Sequence, residues 1–209
     1  MRPKTFIRAV WDFLGIPFRF VLFDQDWLPR FRWTTLEEER LRAVLPHLQG
    51  NVLDIGAGRN ALVRAYGQGV GVDVFDWGGG AHVVPDSACL PFPDASFETI
   101  TLVASLNHIP NRRETLREAR RLVRPSGKMI LTMIGPVLGG IGHRIWWYSE
   151  DKKRGGMKTG ETGGLSKKAV IRMCEEAGFA LEAHSRFLFR LNHLYIFRPG
   201  YPADIHPFK

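Results

Sequence analysis

Residues 52–60, VLDIGAGRN, set a carboxylate inside an apolar run and then strip the next turn of side chains. Val52, Leu53 and Ile55 suit a buried strand; Asp54 does not. Gly56 and Gly58 let the backbone turn tightly and let a ligand come close. A helix starting just after would aim its unpaired N–H groups at that ligand. The stretch reads as a small-molecule site at the C-terminal edge of a parallel sheet.

Spacing narrows the ligand. GAGRNA, residues 56–61, fits the dinucleotide pattern G-x-G-x-x-G/A. Asp54 points elsewhere, because a dehydrogenase usually carries an apolar residue there. A carboxylate at that place can accept a hydrogen bond from an ammonium group or anchor the glycine loop. Asp73 ends a second strand, 17 residues after Gly56, placed to accept from both hydroxyls of a ribose. Asp86 follows a third strand and suits an adenine amino group, with Leu90 and Phe92 to flank the ring. These positions together describe a small adenosine-bearing ligand.

The elements that must hold these residues are legible from pattern. Thr35 and Glu38 form a capping box for a helix whose stripe is Leu41, Val44, Leu45 and Leu48. Gly50 ends it, and the strand Val52–Ile55 follows. A short helix at 61–66 leads to strands at 69–73, 82–84 and 99–105. An amphipathic helix begins at Arg112, buries Leu116, Ala119, Leu122 and Val123, covers its other side with arginines and stops at Pro125–Gly127. Residues 128–134 are a nearly all-apolar fifth strand. A long glycine-rich stretch to residue 165 then reads as functional or disordered. Ser166 caps a helix closed by Gly178, and strands near 180–189 and 191–197 make a hairpin. Alternating strands and helices predict an α/β fold with a mostly parallel sheet and an antiparallel end. The first thirty residues are aromatic and broken by Pro3, Pro17 and Pro29.

Composition sets the bounds. A chain of 209 residues with 44% hydrophobic and 24% charged residues suits one globular domain. Cys89 and Cys174 form no redox or metal pattern, and no metal site is expected, so reduced thiols in a cytoplasmic setting are the expectation. No run approaches a transmembrane length, and the basic, apolar start lacks a small-residue cleavage site, which argues against a signal peptide. Residues 46–111 carry a net −4 and residues 112–209 a net +10. A basic half favours acidic partners, although an excess of this size also serves solubility.

VLDIGAGRN, GVDV, PDSACLPFPDASFETI, LNHIP, LREARRLVRPSGKMILTMIG and LSKKAVIRMCEEAGFALE, in that order, resemble the class I S-adenosylmethionine-dependent methyltransferases. The resemblance is to the broad small-molecule group that includes quinone-biosynthesis enzymes, and it spans residues 36–185. It implies a Rossmann-like, seven-stranded sheet with helices on both faces and S-adenosyl-L-methionine across the strand ends. It places Asp54, Gly56, Ala57 and Gly58 around the methionine part, Asp73 and Val74 at the ribose, and Asp86, Ser87 and Ala88 near the adenine. Ser105 would line the pocket through its backbone. Asn60 replaces a glycine common in the family; it can cap the next helix or bond the cofactor's carboxylate. The chain then divides into a cap (1–33), a cofactor half (34–135), an insertion or lid (136–165) and a C-terminal helix and hairpin (166–209) of one methyltransferase domain.

The cofactor brings its own electrophile, so the protein must align a nucleophile and exclude water. A base is needed only for an acceptor that must lose a proton. His108 faces the cleft by family analogy and can be that base, or a structural histidine beside the cofactor. Asn107 stands where relatives often have an acid. His143 and Tyr148 are further base candidates, and His143, Trp146, Trp147 and Tyr148 are the substrate or lid residues of the insertion. Cys89 reads as a small buried hydrophobe. There is no Asn/Asp-Pro-Pro-aromatic tetrad and no Pro-Cys pair after the fourth strand, which leaves small-molecule hydroxyl or carboxyl acceptors as the better fit.

Aromatic residues interleaved with basic ones mark both the N-terminal segment and the insertion. They suit an acidic or lipid-linked amphiphile, or peripheral contact with an anionic membrane. Single-stranded RNA is an alternative partner, and with it an RNA-modifying activity, but no appended RNA-binding domain is present and the basic residues are scattered. A non-catalytic membrane-surface module is a third reading, opposed by the intact set Asp54, Gly56, Gly58, Asp73 and Asp86. Most N-terminal aromatics are expected to form a satellite hydrophobic cluster over the cofactor pocket.

Overall fold

The computed structural model describes residues 4–19, 25–137, 139–140 and 157–200. In chain order it contains α1 (Phe6–Leu14), α2 (Leu36–Val44), β1 (Val52–Ile55), α3 (Ala61–Tyr66), β2 (Val70–Asp73), β3 (His82–Val83), β4 (Phe97–Val103), α4 (Arg112–Leu122), β5 (Val123–Ile134), α5 (Lys167–Glu176), β6 (Phe179–Phe187) and β7 (Asn192–Pro199). The strands form one sheet in the order β3-β2-β1-β4-β5-β7-β6. The first five are parallel, and β7 runs antiparallel between β5 and β6. The chain works outward from β1 to β3 and then crosses back to β4. The strand order therefore reverses beside β1, and a crevice opens at the C-terminal ends of β1 and β4.

Alternation along β5 divides the core. Met129, Leu131 and Met133 pack with Leu116 and Leu122 of α4 and Val170 and Met173 of α5. Ile130 points the other way, into a cluster with Leu41, Val44 and Leu62 of α2 and α3. Both faces of the sheet are covered, as a parallel sheet requires. The Thr35–Glu38 capping box forms, and Ser166 accepts from the Ala169 N–H to start α5.

Three expectations are corrected here. α4 stops at Leu122, and Pro125–Gly127 lie within β5, whose first residue pairs Val123 with Phe97 across a bulge. The arginines of residues 112–124 are not merely a solvated face: on α4 Arg121 bonds Glu118 at 2.6 Å and Asp94 at 2.5 Å and Arg113 pairs with Glu176, and Arg124, at the start of β5, pairs with Glu98. Cys89 is exposed, because its turn faces solvent; Cys174 is the buried thiol.

The prolines do not prevent a helix in the first thirty residues. Thr5 caps α1, which ends at Gly15, before Pro17. Its polar side faces inward. Asp12, 0% exposed, accepts from the Thr34 N–H at 2.9 Å and Thr34 Oγ1 at 2.5 Å, and lies 2.6 Å from Lys4 Nζ. Arg19, equally buried, donates to the carbonyls of Asp12 and Thr34 and pairs with Glu39 of α2 at 3.0 Å; Lys4 also reaches Glu39. Burial pushes the Asp12 carboxyl up, but the Lys4 and Thr34 bonds and the Arg19 charge outweigh it and hold it below the usual carboxylate range. Trp11 and Phe18 stack on Trp33 and Phe31 tilts against it, an aromatic cluster built on α1 and the turn before α2. Phe6, Phe13 and Trp27 are outside it and are exposed.

Removing one member of a buried ion cluster strands the others. Asp12→Ala should cost roughly 2–4 kcal/mol, and it should do so locally. Hydrogen exchange is expected to lose protection in α1 and the start of α2 while β1, β4 and β5 keep theirs.

Candidate active site

β1 ends in the crevice and carries Asp54 there. The side chain is 2% exposed, and Thr101 of β4, its partner in register, donates to Asp54 Oδ1 at 2.6 Å. Burial pushes the Asp54 carboxyl up to about 7; the Thr101 bond pulls the other way, and the charge of Asp73 adds to the rise.

The glycine turn follows. Gly56 has φ +72° and Gly58 φ +52°, left-handed values that favour glycine. A Cβ on Gly56 would overlap Ser105, whose hydroxyl donates to the Ile55 carbonyl at 2.7 Å. A Cβ on Gly58 would meet nothing, so the turn is open above that residue. The N–H groups of this turn are used within the fold. Those of Gly56 and Ala57 both donate to the Val72 carbonyl, at 2.9 and 3.0 Å, and that of Gly58 donates to Asp73 Oδ2 at 2.8 Å. The turn is thus pinned to β2, with the Asp73 carboxylate beside it.

Asp73 at the end of β2 is fixed by two backbone donors, Gly58 on one oxygen and Phe75 on the other at 3.0 Å. Each carboxylate oxygen keeps lone-pair capacity for a further donor such as a hydroxyl. Val74 beside it is 51% exposed and offers an apolar surface. The Val84 N–H donates to the Asp73 carbonyl at 2.9 Å, which ties the next turn to the same place. In that turn Asp86 Oδ1 accepts from Ala88 N–H and from Asn111 Nδ2, both at 2.8 Å. Those bonds, the Ala88 one foremost, hold its carboxyl below the usual range.

Other sequence candidates lie elsewhere or act differently. Ser87 turns its hydroxyl to Thr115 of α4, 3.0 Å away, so it braces the turn. Leu90 is buried in the main core and Phe92 packs edge-on against Phe97, so neither is placed to flank a ring in the crevice. Asn60 has φ +58° and makes no side-chain cap; its amide donates to the Gly80 carbonyl at 3.2 Å, and its Oδ1 is buried against Gly71 without a partner. His143, Trp146, Trp147 and Tyr148 lie outside the described residues.

One neighbour was missed. Residues 157–164 return over the turn after β4: Asn107 Nδ2 donates to the Thr162 carbonyl at 3.1 Å, and the Thr162 N–H to the Asn107 carbonyl at 2.9 Å. This brings Glu161, its side chain 1% exposed, to 3.6 Å from His108 Nδ1. Fifty-three residues separate the pair, and no local pattern joins them.

With this geometry in view, a family model described as "Methyltransferase domain" matches residues 30–184. The chain belongs to the methyltransferase domain family. Its fold and cofactor are those of the class I S-adenosylmethionine-dependent methyltransferases. Among curated relatives, the 27-O-demethylrifamycin SV methyltransferase of Amycolatopsis mediterranei is 44% identical over 46 residues, 22% of this chain and 17% of that one. The ubiquinone/menaquinone biosynthesis C-methyltransferase UbiE of Legionella pneumophila is 36% identical over 69 residues, 32% of this chain and 28% of that one. The chain thus spans less than a third of either relative. In shape, it matches a SAM-dependent methyltransferase structure from Thermotoga maritima at TM-score 0.65 and 17% identity, over 91% of this chain and 99% of that one. The residues present fit the family's cofactor. The turn is open at Gly58, the Asp54 carboxyl suits an ammonium group, and the Asp73 oxygens suit a diol.

The raised Asp54 value has a measurable consequence. Between about pH 4 and about pH 7 the folded protein holds a proton that the unfolded chain releases, so this group makes stability fall as pH rises through that window. Asp54→Asn removes the penalty. Urea unfolding should show the variant gaining up to about 4 kcal/mol over wild type at about pH 8.5, and little at about pH 4.

Proposed function

We propose that this protein transfers a methyl group from S-adenosylmethionine to a small or lipid-linked, acidic acceptor, in the cytoplasm and in peripheral contact with an anionic membrane. The observation that carries the transfer is the convergence of Asp54, the open Gly56–Gly58 turn and Asp73 at one strand-order reversal, in a chain of the methyltransferase family. The acceptor class draws on two relatives named for quinone biosynthesis and for a rifamycin, both matched in short segments of the chain. It draws also on the aromatic and basic residues of the N-terminal segment. An RNA acceptor is the weaker reading, since in the arginine-rich stretch 112–124 Arg113 is engaged with Glu176, Arg121 with Asp94 and Glu118, and Arg124 with Glu98.

Bound cofactor supplies a methyl group on a sulfonium sulfur. Asp54 would hold its ammonium group, Asp73 its ribose, with Val74 beside it, and Asp86 its adenine amino group. His108 stands after β4, its backbone N–H bonded to the Ser105 carbonyl at 2.9 Å and its Nδ1 turned to Glu161. The Glu161 carboxylate stands on the Nδ1 side, 3.6 Å away, and a neutral imidazole would take the proton of an acceptor hydroxyl through Nε2 as the new oxygen–carbon bond forms and the carbon–sulfur bond breaks. A carboxylate acceptor needs no such transfer.

Calorimetric titration with S-adenosylmethionine, with NADH as the control, tests the cofactor. Asp73→Ala should weaken S-adenosylmethionine binding by about 1.5–3 kcal/mol, the worth of a charged acceptor. Unchanged affinity would remove Asp73 from the site. With a hydroxyl acceptor, His108→Gln should lower kcat roughly a hundredfold and flatten its pH dependence while cofactor affinity holds. Glu161→Gln should move the same profile by less. A normal pH profile in H108Q would end the base assignment.

A further inference from the structure

α1 is oriented against the usual rule. Phe6, Ile7, Val10, Phe13 and Leu14 follow one helical face, and that face is the outer one, 42–83% exposed. Asp12 on the opposite side is the residue that is buried. The orientation is enforced by the Asp12–Arg19–Lys4–Glu39 cluster and the Thr34 bonds, so the apolar face is held outward by specific contacts. Nearby, the Trp11 indole N–H donates to the Phe31 carbonyl at 3.0 Å, which attaches the 3-10 turn Gln25–Phe31 to α1. That turn exposes Trp27, with the Arg30 guanidinium 4.7 Å over its ring.

The apolar face continues into a basic cleft. Phe13 meets Phe189 edge-on, ring centroids 5.3 Å apart. Phe189 precedes Arg190, and Arg190 lines a cleft of 480 Å³ with Lys167, His184, Ser185 and Arg186. No carboxylate is paired with Lys167, Arg186 or Arg190 among the described residues. Burial, then the charges of Lys167 and Arg186, hold the His184 imidazole below its ordinary value. Arg186 lies opposite His193 of β7, which in turn lies opposite Met133 near the end of β5. The cleft therefore opens at the same sheet edge as the Asp54 turn.

We propose that the outer face of α1 and the Lys167–Arg186–Arg190 cleft form one docking surface for an anionic phospholipid bilayer. The apolar side chains enter the boundary of the acyl region, and the three cations take headgroup phosphates. A second copy of the chain or an uncharged protein groove would cover the apolar face but leave three like charges uncompensated; an anionic bilayer satisfies both halves. This surface gives the membrane contact of the proposed function its location and rests on that reading for its purpose, while its test does not require turnover.

The test is co-sedimentation of the full chain with phosphatidylcholine vesicles and with mixed phosphatidylcholine–phosphatidylglycerol vesicles, at low and high salt. Wild type should bind the anionic vesicles alone, and less at high salt. Phe6→Ser with Ile7→Ser, and separately Arg186→Gln with Arg190→Gln, should each lower that binding roughly tenfold or more. Circular dichroism melts and S-adenosylmethionine titration of each variant control for folding. Equal binding to neutral vesicles, no binding by wild type, or binding untouched by either pair overturns the proposal. So does sedimentation velocity showing a dimer that F6S/I7S dissolves, which assigns the face to a second copy. Loss of S-adenosylmethionine binding by wild type with vesicle binding intact would instead sink the enzymatic reading and leave this one standing.

Discussion

A carboxylate in the middle of a parallel sheet carries a desolvation cost of several kcal/mol if it stays charged and alone. Asp54 meets that cost with a single side-chain hydrogen bond, from Thr101, and a second acid, Asp73, stands within range of it. The rest of the cofactor end is arranged around this constraint. Gly56 must be a glycine to let β1 turn beneath Ser105, and the turn is then stitched to β2 through Val72 and Asp73. The second acid is fixed by the same stitching. A cationic group above the turn would relieve the Asp54 carboxylate, which no basic side chain does among the described residues.

Asp12 makes the contrast plain. It is as buried as Asp54, yet its carboxyl lies below the usual range while that of Asp54 is near 7. Asp12 has an ammonium, a hydroxyl, a backbone N–H and a nearby guanidinium; it belongs to a closed network and serves to orient a helix. Asp54 is under-compensated, at a crevice, on the element that begins the family's pattern. Under-compensation at a concave site is the mark of a group awaiting a ligand, whereas full compensation is the mark of architecture. The same logic separates Arg121 and Arg124, which have acidic partners, from Arg186 and Arg190, which have none among the described residues.

What the sequence discloses follows the range of the interactions. β1 and α3 begin and end where the pattern places them, because an apolar run bounded by glycines and a short capped segment are local signals. The two N-caps at Thr35 and Ser166 are equally local. The seven-stranded order rests on the family resemblance, since no run of residues encodes which strands become neighbours. α1 escaped notice because its polar residue is the buried one, and only contacts to Thr34 and Glu39, more than twenty residues away, decide that. The Glu161–His108 approach depends on a returning segment held by Asn107 and Thr162, and Leu90 was misplaced because alternation along its loop gives no hint of which side is core.

Charge is partitioned along the chain in a way that fits group transfer from a cation. The acidic stretch, residues 46–111, supplies Asp54, Asp73 and Asp86, and the basic half supplies Lys167, Arg186 and Arg190 at the same sheet edge. Carboxylates favour a cationic ligand over a neutral one of the same shape. Cations favour an anionic acceptor or the anionic surface that carries one. With the signs mixed, the two fields would cancel at the sheet edge; with the signs separated along the chain, a cationic ligand is drawn to the acidic part and an anionic partner to the basic part.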